Sequence, residues 1–166
     1  MSSQRHSSPA IIAVEKSGFD YKILTYTHRD DAPSFGMEAA QELGWDPCQV
    51  FKTLIIALSG GSHNYVCTLI PAHRFVDLKS VASAMRAKRA QLSEANIAER
   101  LSGYVVGGIS PLGQKRILPT IVDSSALEHE KICFSAGRRG MSIAMNPHHA
   151  IEMMKAATEK ISRDHL

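Results

Sequence analysis

Apolar positions along the chain fall into short blocks of two different periods, separated by polar or glycine-marked breaks. The strongest block is VFKTLIIAL (residues 50–58), which reads as a β-strand. SGGSHN follows as a turn, and YVCTLIP returns as the second arm of a hairpin. DYKILTYT (residues 20–27) alternates well enough for another strand, and two or three short strands are expected around ILPTIVD, KICFSAG and MSIAM. Helical blocks lie between them. Ser8-Pro9 has the form of an N-cap followed by proline in the first turn, with Gly18 closing that helix. After the polar loop HRDDAPS (residues 28–34), GMEAAQELG predicts a short helix ending at Gly44. DLKSVASAMRA predicts another, and SEANIAERLSG a third, with Ser93 as N-cap and Gly103 just past its end. Asn146-Pro147 opens a last helix, expected to run through about Ile161 with Ile151, Met154 and Ile161 buried.

Strands and helices therefore mix without a regular βαβ alternation, and hairpins are present. That combination predicts an α+β fold: one domain with a mixed, mostly antiparallel sheet, curved or barrel-like, flanked by helices. Residues 1–8 are expected to form a flexible tail and residues 9–166 the domain.

Composition narrows this picture only slightly. At 166 residues, 44% apolar and 21% charged, the chain suits a single domain with a sizeable core. A net charge of +3 permits an anionic partner without demanding one. No run of eighteen apolar residues occurs, and the N-terminus lacks the apolar core of a signal peptide. Cys48, Cys67 and Cys133 are odd in number and widely spaced, which suits buried thiols in a reducing compartment; a cytoplasmic location is expected.

Candidate chemistry centres on GYVVGGISPLGQKR (residues 103–116), with four glycines and two terminal cations. Glycine inside an element costs roughly 0.5–1 kcal/mol relative to alanine, so such a loop suggests a close backbone approach. GISPLGQK nearly matches a phosphate-binding loop, but Gln114 separates the second glycine from Lys115, and Arg116 stands where a hydroxyl is needed. Ser110 is followed by Pro111 and Leu112, which breaks the G-x-S-x-G spacing of a nucleophile elbow. The histidines show no H-E-x-x-H pattern, and His148-His149 are adjacent on a helix, pointing apart; neither a metal nor a cofactor is expected.

Two features remain. Lys52 is a lone charge in an apolar strand, directed away from Phe51 and Thr53 by strand alternation. It either reaches water at a sheet edge or holds a cation at the mouth of a pocket, binding phosphate or polarising a carbonyl. SAGRRG (residues 135–140) again sets glycines beside cations.

VFKTL, SGYVVGGISPLGQK and SAGRRG, in this order and separation, resemble the YbaK/EbsC family of aminoacyl-tRNA editing deacylases, relatives of the editing domain of bacterial prolyl-tRNA synthetases. TYTHRDDAPSFGMEAA is similar to that family's early pattern, and the resemblance spans about residues 9–160. It implies removal of cysteine from mischarged Cys-tRNA(Pro), with Cys-tRNA(Cys) as a further substrate. Another small mischarged amino acid, such as Ala-tRNA(Pro), and a non-catalytic binder of an RNA end remain as alternatives. It also implies roles: Lys52 as the essential lysine, Thr53 beside it, Tyr26 and Phe35 as aromatic lining, and Gly107 and Gly108 as backbone facing the aminoacyl group. Ser135 would stand opposite, with Ser110 as a further hydroxyl at the site. Lys115, Arg116, Arg138 and Arg139 would meet tRNA phosphates, and prolyl-tRNA synthetase is a candidate partner. Ser142 departs from the family, standing where some relatives carry an acid. No protein nucleophile is evident; water, a ribose hydroxyl and the substrate thiol all remain open as the attacking group.

Overall fold

The fold was taken from a computed structural model, which describes residues 7–32 and 34–166. Helix α1 (Pro9–Ser17) begins as its sequence predicts: the Ser8 hydroxyl accepts from the Ile11 N–H and Gly18 closes the helix in the left-handed conformation. Residues 1–6 of the expected tail lie outside the described residues, whereas Ser8 is buried and its hydroxyl also donates to the Ala136 carbonyl. Strand β1 (Tyr21–Thr25) and helix α2 (Phe35–Leu43) follow, α2 capped by Ser34 at one end and Gly44 at the other. The hairpin of β2 (Phe51–Ser59) and β3 (Tyr65–Pro71) pairs Phe51 with Pro71 and Ala57 with Tyr65.

Beyond the hairpin come β4 (Phe75–Val76), α3 (Leu78–Ala84), β5 (Arg89–Leu92) and α4 (Ala95–Ser102). The remainder is β6 (Thr120–Asp123), β7 (Ile132–Arg138), β8 (Met141–Met145), α5 (Pro147–Met154), β9 (Ala157–Glu159) and β10 (Ser162–Arg163).

The pairing is mixed and mostly antiparallel, in an α+β arrangement. It is divided, however, into three sheets that do not close into a barrel. One has the order β5-β2-β3-β6-β9, one β1-β8-β7, and β4 pairs alone with β10. The β3–β6 and β6–β9 pairs are parallel. A single parallel bridge from Val50 to Cys133 joins the two larger sheets.

Alternation along β2 divides its side chains between two cores. Phe51 and Ile55 face a main core with Leu69, Phe134, Ile143, Met145 and, from α1, Ala10 and Val14. Ile56 and Leu58 face a second core with Val66, Ile70, Val81 and Ile161.

Two expectations are corrected. Helix α4 begins at Ala95 with Glu94 at its cap and no side-chain cap bond, because Ser93 is tied elsewhere: its N–H donates to the Ile55 carbonyl at 3.0 Å and its hydroxyl to the Glu94 carbonyl at 2.9 Å. The last helix stops at Met154, where Lys155 takes φ 51°. Ile161 is buried, but outside the helix, between β9 and β10, its N–H donating to the Asp123 carboxylate at 2.9 Å. Residues 151, 154 and 161 share a helical phase, so apolar spacing alone could not reveal that break.

Candidate functional site

Strand β5 pairs with β2 only from Ile56 to Ser59, and the Ser93–Ile55 bond is the last tie before the chain turns into α4. The first half of β2 is left with an open flank. Around it lies a cavity of about 410 Å³, walled by β2, the start of α2, the first turn of α4, the loop after α4, and the β7–β8 hairpin. Its lining is largely apolar: Phe51, Leu54, Ile55, Ala98, Ile109 and Phe134. The polar side chains include Lys52, Thr53, Ser135, Arg138 and Ser142. Among the described lining residues there are two cations and no Asp, Glu or His.

Lys52 is half-buried, and burial pulls its ammonium below the usual 10.5. Its Nζ donates to the Ala72 carbonyl at 3.2 Å and stands 5.9 Å from the centre of the Phe75 ring. Thr53 Oγ1 is buried without a hydrogen-bond partner among the described residues. An unpaired buried hydroxyl costs about 1–3 kcal/mol, so a cavity ligand that bonds it gains that amount. Ser135 and Ser142 face each other across the β7–β8 ladder, and the Ser135 hydroxyl accepts from the Gly137 N–H at 3.1 Å. Ser142 therefore supplies a hydroxyl to the wall.

Phe35, the first residue of α2, puts its ring at the mouth. Gly107 packs against it: φ is +88°, and a Cβ there would lie 2.6 Å from the ring. The Arg139 guanidinium stands 5.0 Å from the ring centre while its Nε donates to the Val106 carbonyl at 2.9 Å. His28 approaches the same ring at 5.6 Å. Glu38 steadies this side, its Oε1 lying 2.7 Å from His28 Nδ1 and its Oε2 accepting from the Arg29 N–H at 2.8 Å. Burial alone would raise the Glu38 carboxyl, but those hydrogen bonds and the nearby positive charge prevail and hold it below its usual 4.5.

Other expected site residues lie off the cavity. Gly108 packs on protein, since a Cβ there would come within 3.0 Å of the Arg138 backbone. Ser110 is fully buried, accepting from the Leu112 N–H at 3.2 Å. Tyr26 is not part of the lining; its N–H donates to the Gly140 carbonyl at 2.9 Å, and burial followed by the Glu38 charge raises its hydroxyl pKa. Lys115 and Arg116 are exposed away from the lining, their N–H groups donating to the Ser102 and Leu101 carbonyls at the C-terminus of α4. Cations there also complement the helix dipole. Burial pushes Cys67 up to about 12 and Cys133 to about 11, and neither thiol lines the cavity. Sequence reasoning missed Phe75 and the Glu38–His28 support, for which no motif or period gives a signal.

Residues 32–152 match the aminoacyl-tRNA editing domain family, and the chain belongs to it. A protein of Enterococcus faecalis, to which the activity of a Cys-tRNA(Pro)/Cys-tRNA(Cys) deacylase, EbsC, is ascribed, is 33% identical over 138 residues, 83% of this chain and 82% of that one. The multifunctional Ser/Thr-tRNA deacylase ProXp-y of Escherichia coli K12 is 25% identical over 137 residues, covering 81% of this chain and 80% of its own. The fold is shared with a crystal structure described as a trans-editing enzyme for prolyl tRNA synthetase, at TM-score 0.79 and 20% identity over 94% of this chain and 98% of that one. No helix among the described residues is long and apolar enough to cross a membrane.

Proposed function

We propose that the protein is a trans-acting deacylase that removes cysteine from mischarged Cys-tRNA(Pro), with Cys-tRNA(Cys) as a second substrate. The observation that carries this is the cavity's charge: Lys52 and Arg138 line a mostly apolar pocket with no acid among its described lining residues. Such a pocket takes a small, weakly polar acyl group whose attached strand is anionic. In this reading Lys52 holds the terminal phosphate or the ester carbonyl, while Thr53, Ser135 and Ser142 supply hydroxyls to the aminoacyl group. With no Asp, Glu or His among the described lining residues, Ser135 and Ser142 are read as orienting rather than attacking. An activated ester needs little more. Prolyl-tRNA synthetase remains a candidate partner because a small domain with few RNA-reading features would gain tRNA selectivity from it.

The reason for such an enzyme is energetic. One methylene in an apolar pocket discriminates by only about 1–3 kcal/mol, so a synthetase that accepts the wrong small amino acid needs a second pocket. A second reading, hydroxyl amino acids as substrates, is favoured by the unpaired Thr53 hydroxyl and by the Escherichia coli relative's name. Release of labelled amino acid from Cys-, Ala-, Ser- and Thr-charged tRNAs decides. Fastest release from Cys-tRNA(Pro) is expected; faster release of serine or threonine would replace the cysteine assignment.

A further inference from the structure

Among the described residues two Phe, Tyr or Trp side chains are exposed, Phe35 at 36% and Phe75 at 39%. Gly36, next to Phe35, packs so that a Cβ on it would lie 3.8 Å from Lys52 Cβ, while the Phe75 ring lies 5.9 Å from Lys52 Nζ. The Phe35 ring is already engaged by Gly107, Arg139 and His28. Phe75 differs. Its ring lies by the Lys52 ammonium, and it is not part of the cavity lining.

Single exposed apolar residues are common and need no explanation on their own. Here the position is built. Phe75 belongs to the two-residue strand β4, which pairs with β10 near the end of the chain, Arg163 opposite Phe75. The neighbouring Arg74 donates to the Ser162 hydroxyl at 2.8 Å, to the Ser162 carbonyl at 3.3 Å and to the Asp164 carboxylate. Two distant parts of the chain thus hold one ring beside one cation. A flat π-face next to a phosphate-binding cation is the recognition unit of single-stranded nucleic acid, and it tolerates any base.

We propose that Phe75 is a stacking subsite for a nucleobase of the RNA 3′ single strand, just outside the cavity, with the Lys52 ammonium between that base and the aminoacyl group. This rests on the aminoacyl-tRNA reading of the cavity. A phosphate held by Lys52 brings the adjoining base near a ring whose centre lies 5.9 Å from the ammonium.

The test compares wild type with Phe75→Ala, Phe75→Leu and Phe75→Tyr, each checked by thermal melt. Turnover of Cys-tRNA(Pro) is measured, together with fluorescence of an acceptor-stem hairpin carrying 2-aminopurine in its 3′ CCA end. In Phe75→Ala the KM rises roughly 5- to 150-fold with kcat nearly unchanged, the loss expected for one base–aromatic stack. Phe75→Leu keeps apolar bulk but no π-face and behaves like Ala, whereas Phe75→Tyr restores the wild-type KM. Quenching of 2-aminopurine by wild type is lost in the Ala and Leu variants. An unchanged KM in Phe75→Ala, or rescue by Leu, overturns the subsite while leaving the deacylase reading intact. Absence of turnover by wild type on every charged tRNA overturns that reading, and the subsite with it.

Discussion

At Lys52 the chain keeps an ammonium where burial works against it. Its depressed pKa means that folding opposes the charge below that pKa, and the opposition fades only as the group deprotonates at higher pH. A residue retained at such a cost should be weakly missed by the fold. Lys52→Ala is therefore expected to leave the melting temperature within a few degrees of wild type, in line with a change under about 1 kcal/mol. Deacylation should fall by about 10²-fold or more, the loss typical of removing a well-placed charge-stabilising group. Because Nζ lies by the Ala72 carbonyl and the Phe75 ring, neither of them part of the cavity lining, Lys52→Arg should recover part of the activity through a phosphate contact. Full activity in a well-folded Ala variant would return Lys52 to the role of a solvated edge residue.

At the scale of elements, the β7–β8 turn works as a clasp. Arg139 bridges the Val106 carbonyl and the Phe35 ring, Gly108 packs on the Arg138 backbone, and Gly140 packs on the Tyr26 carbonyl, where a Cβ would come within 2.5 Å. If Arg139 acts by holding Phe35 against Gly107, then Arg139→Ala and Phe35→Ala remove the same arrangement. A double-mutant cycle on kcat/KM should show coupling of about 0.5–3 kcal/mol; additive losses would mean that Arg139 acts independently, as a phosphate contact. This clasp also marks the limit of what the residues revealed beforehand. Helix α1, the β2–β3 hairpin and the Gly103 cap were legible because each carries a strong local signal: a cap, two apolar runs either side of a glycine-rich turn, a left-handed glycine. Strands β4, β9 and β10 have two or three residues and no period to read, and they exist only through partners far along the chain. Lys52 stood out as a lone charge. The cavity did not, since it depends on where β5 leaves β2. Glycine density at 103–113 was visible, but whether each glycine faced a ligand or protein was not: Gly107 meets Phe35, and Gly108 meets Arg138.

For the whole molecule, the four cations assigned to tRNA phosphates occupy two places. Arg138 lines the cavity and Arg139 stands at its mouth, whereas Lys115 and Arg116 stand beyond the C-terminus of α4, away from the lining. If the pair off the lining meets the acceptor stem behind the strand bound in the cavity, it contacts RNA that a short 3′ oligonucleotide lacks. The two pairs should therefore respond differently to RNA length. Lys115→Gln with Arg116→Gln should weaken binding of full-length tRNA and make its salt dependence shallower, by roughly 0.7–0.9 in log–log slope for each phosphate no longer neutralised. The same variant should bind a short 3′ oligonucleotide as wild type does. Arg138→Gln should weaken both ligands alike, because it lines the cavity proposed for the 3′ end. Glutamine is chosen over glutamate because reversing charge at a helix C-terminus destabilises the helix and would confuse folding with binding. Binding is read by fluorescence anisotropy across a salt series for the two RNAs. Equal weakening on both by the Lys115/Arg116 variant would place those cations at the 3′ end after all, and no weakening on either would leave them to α4 alone.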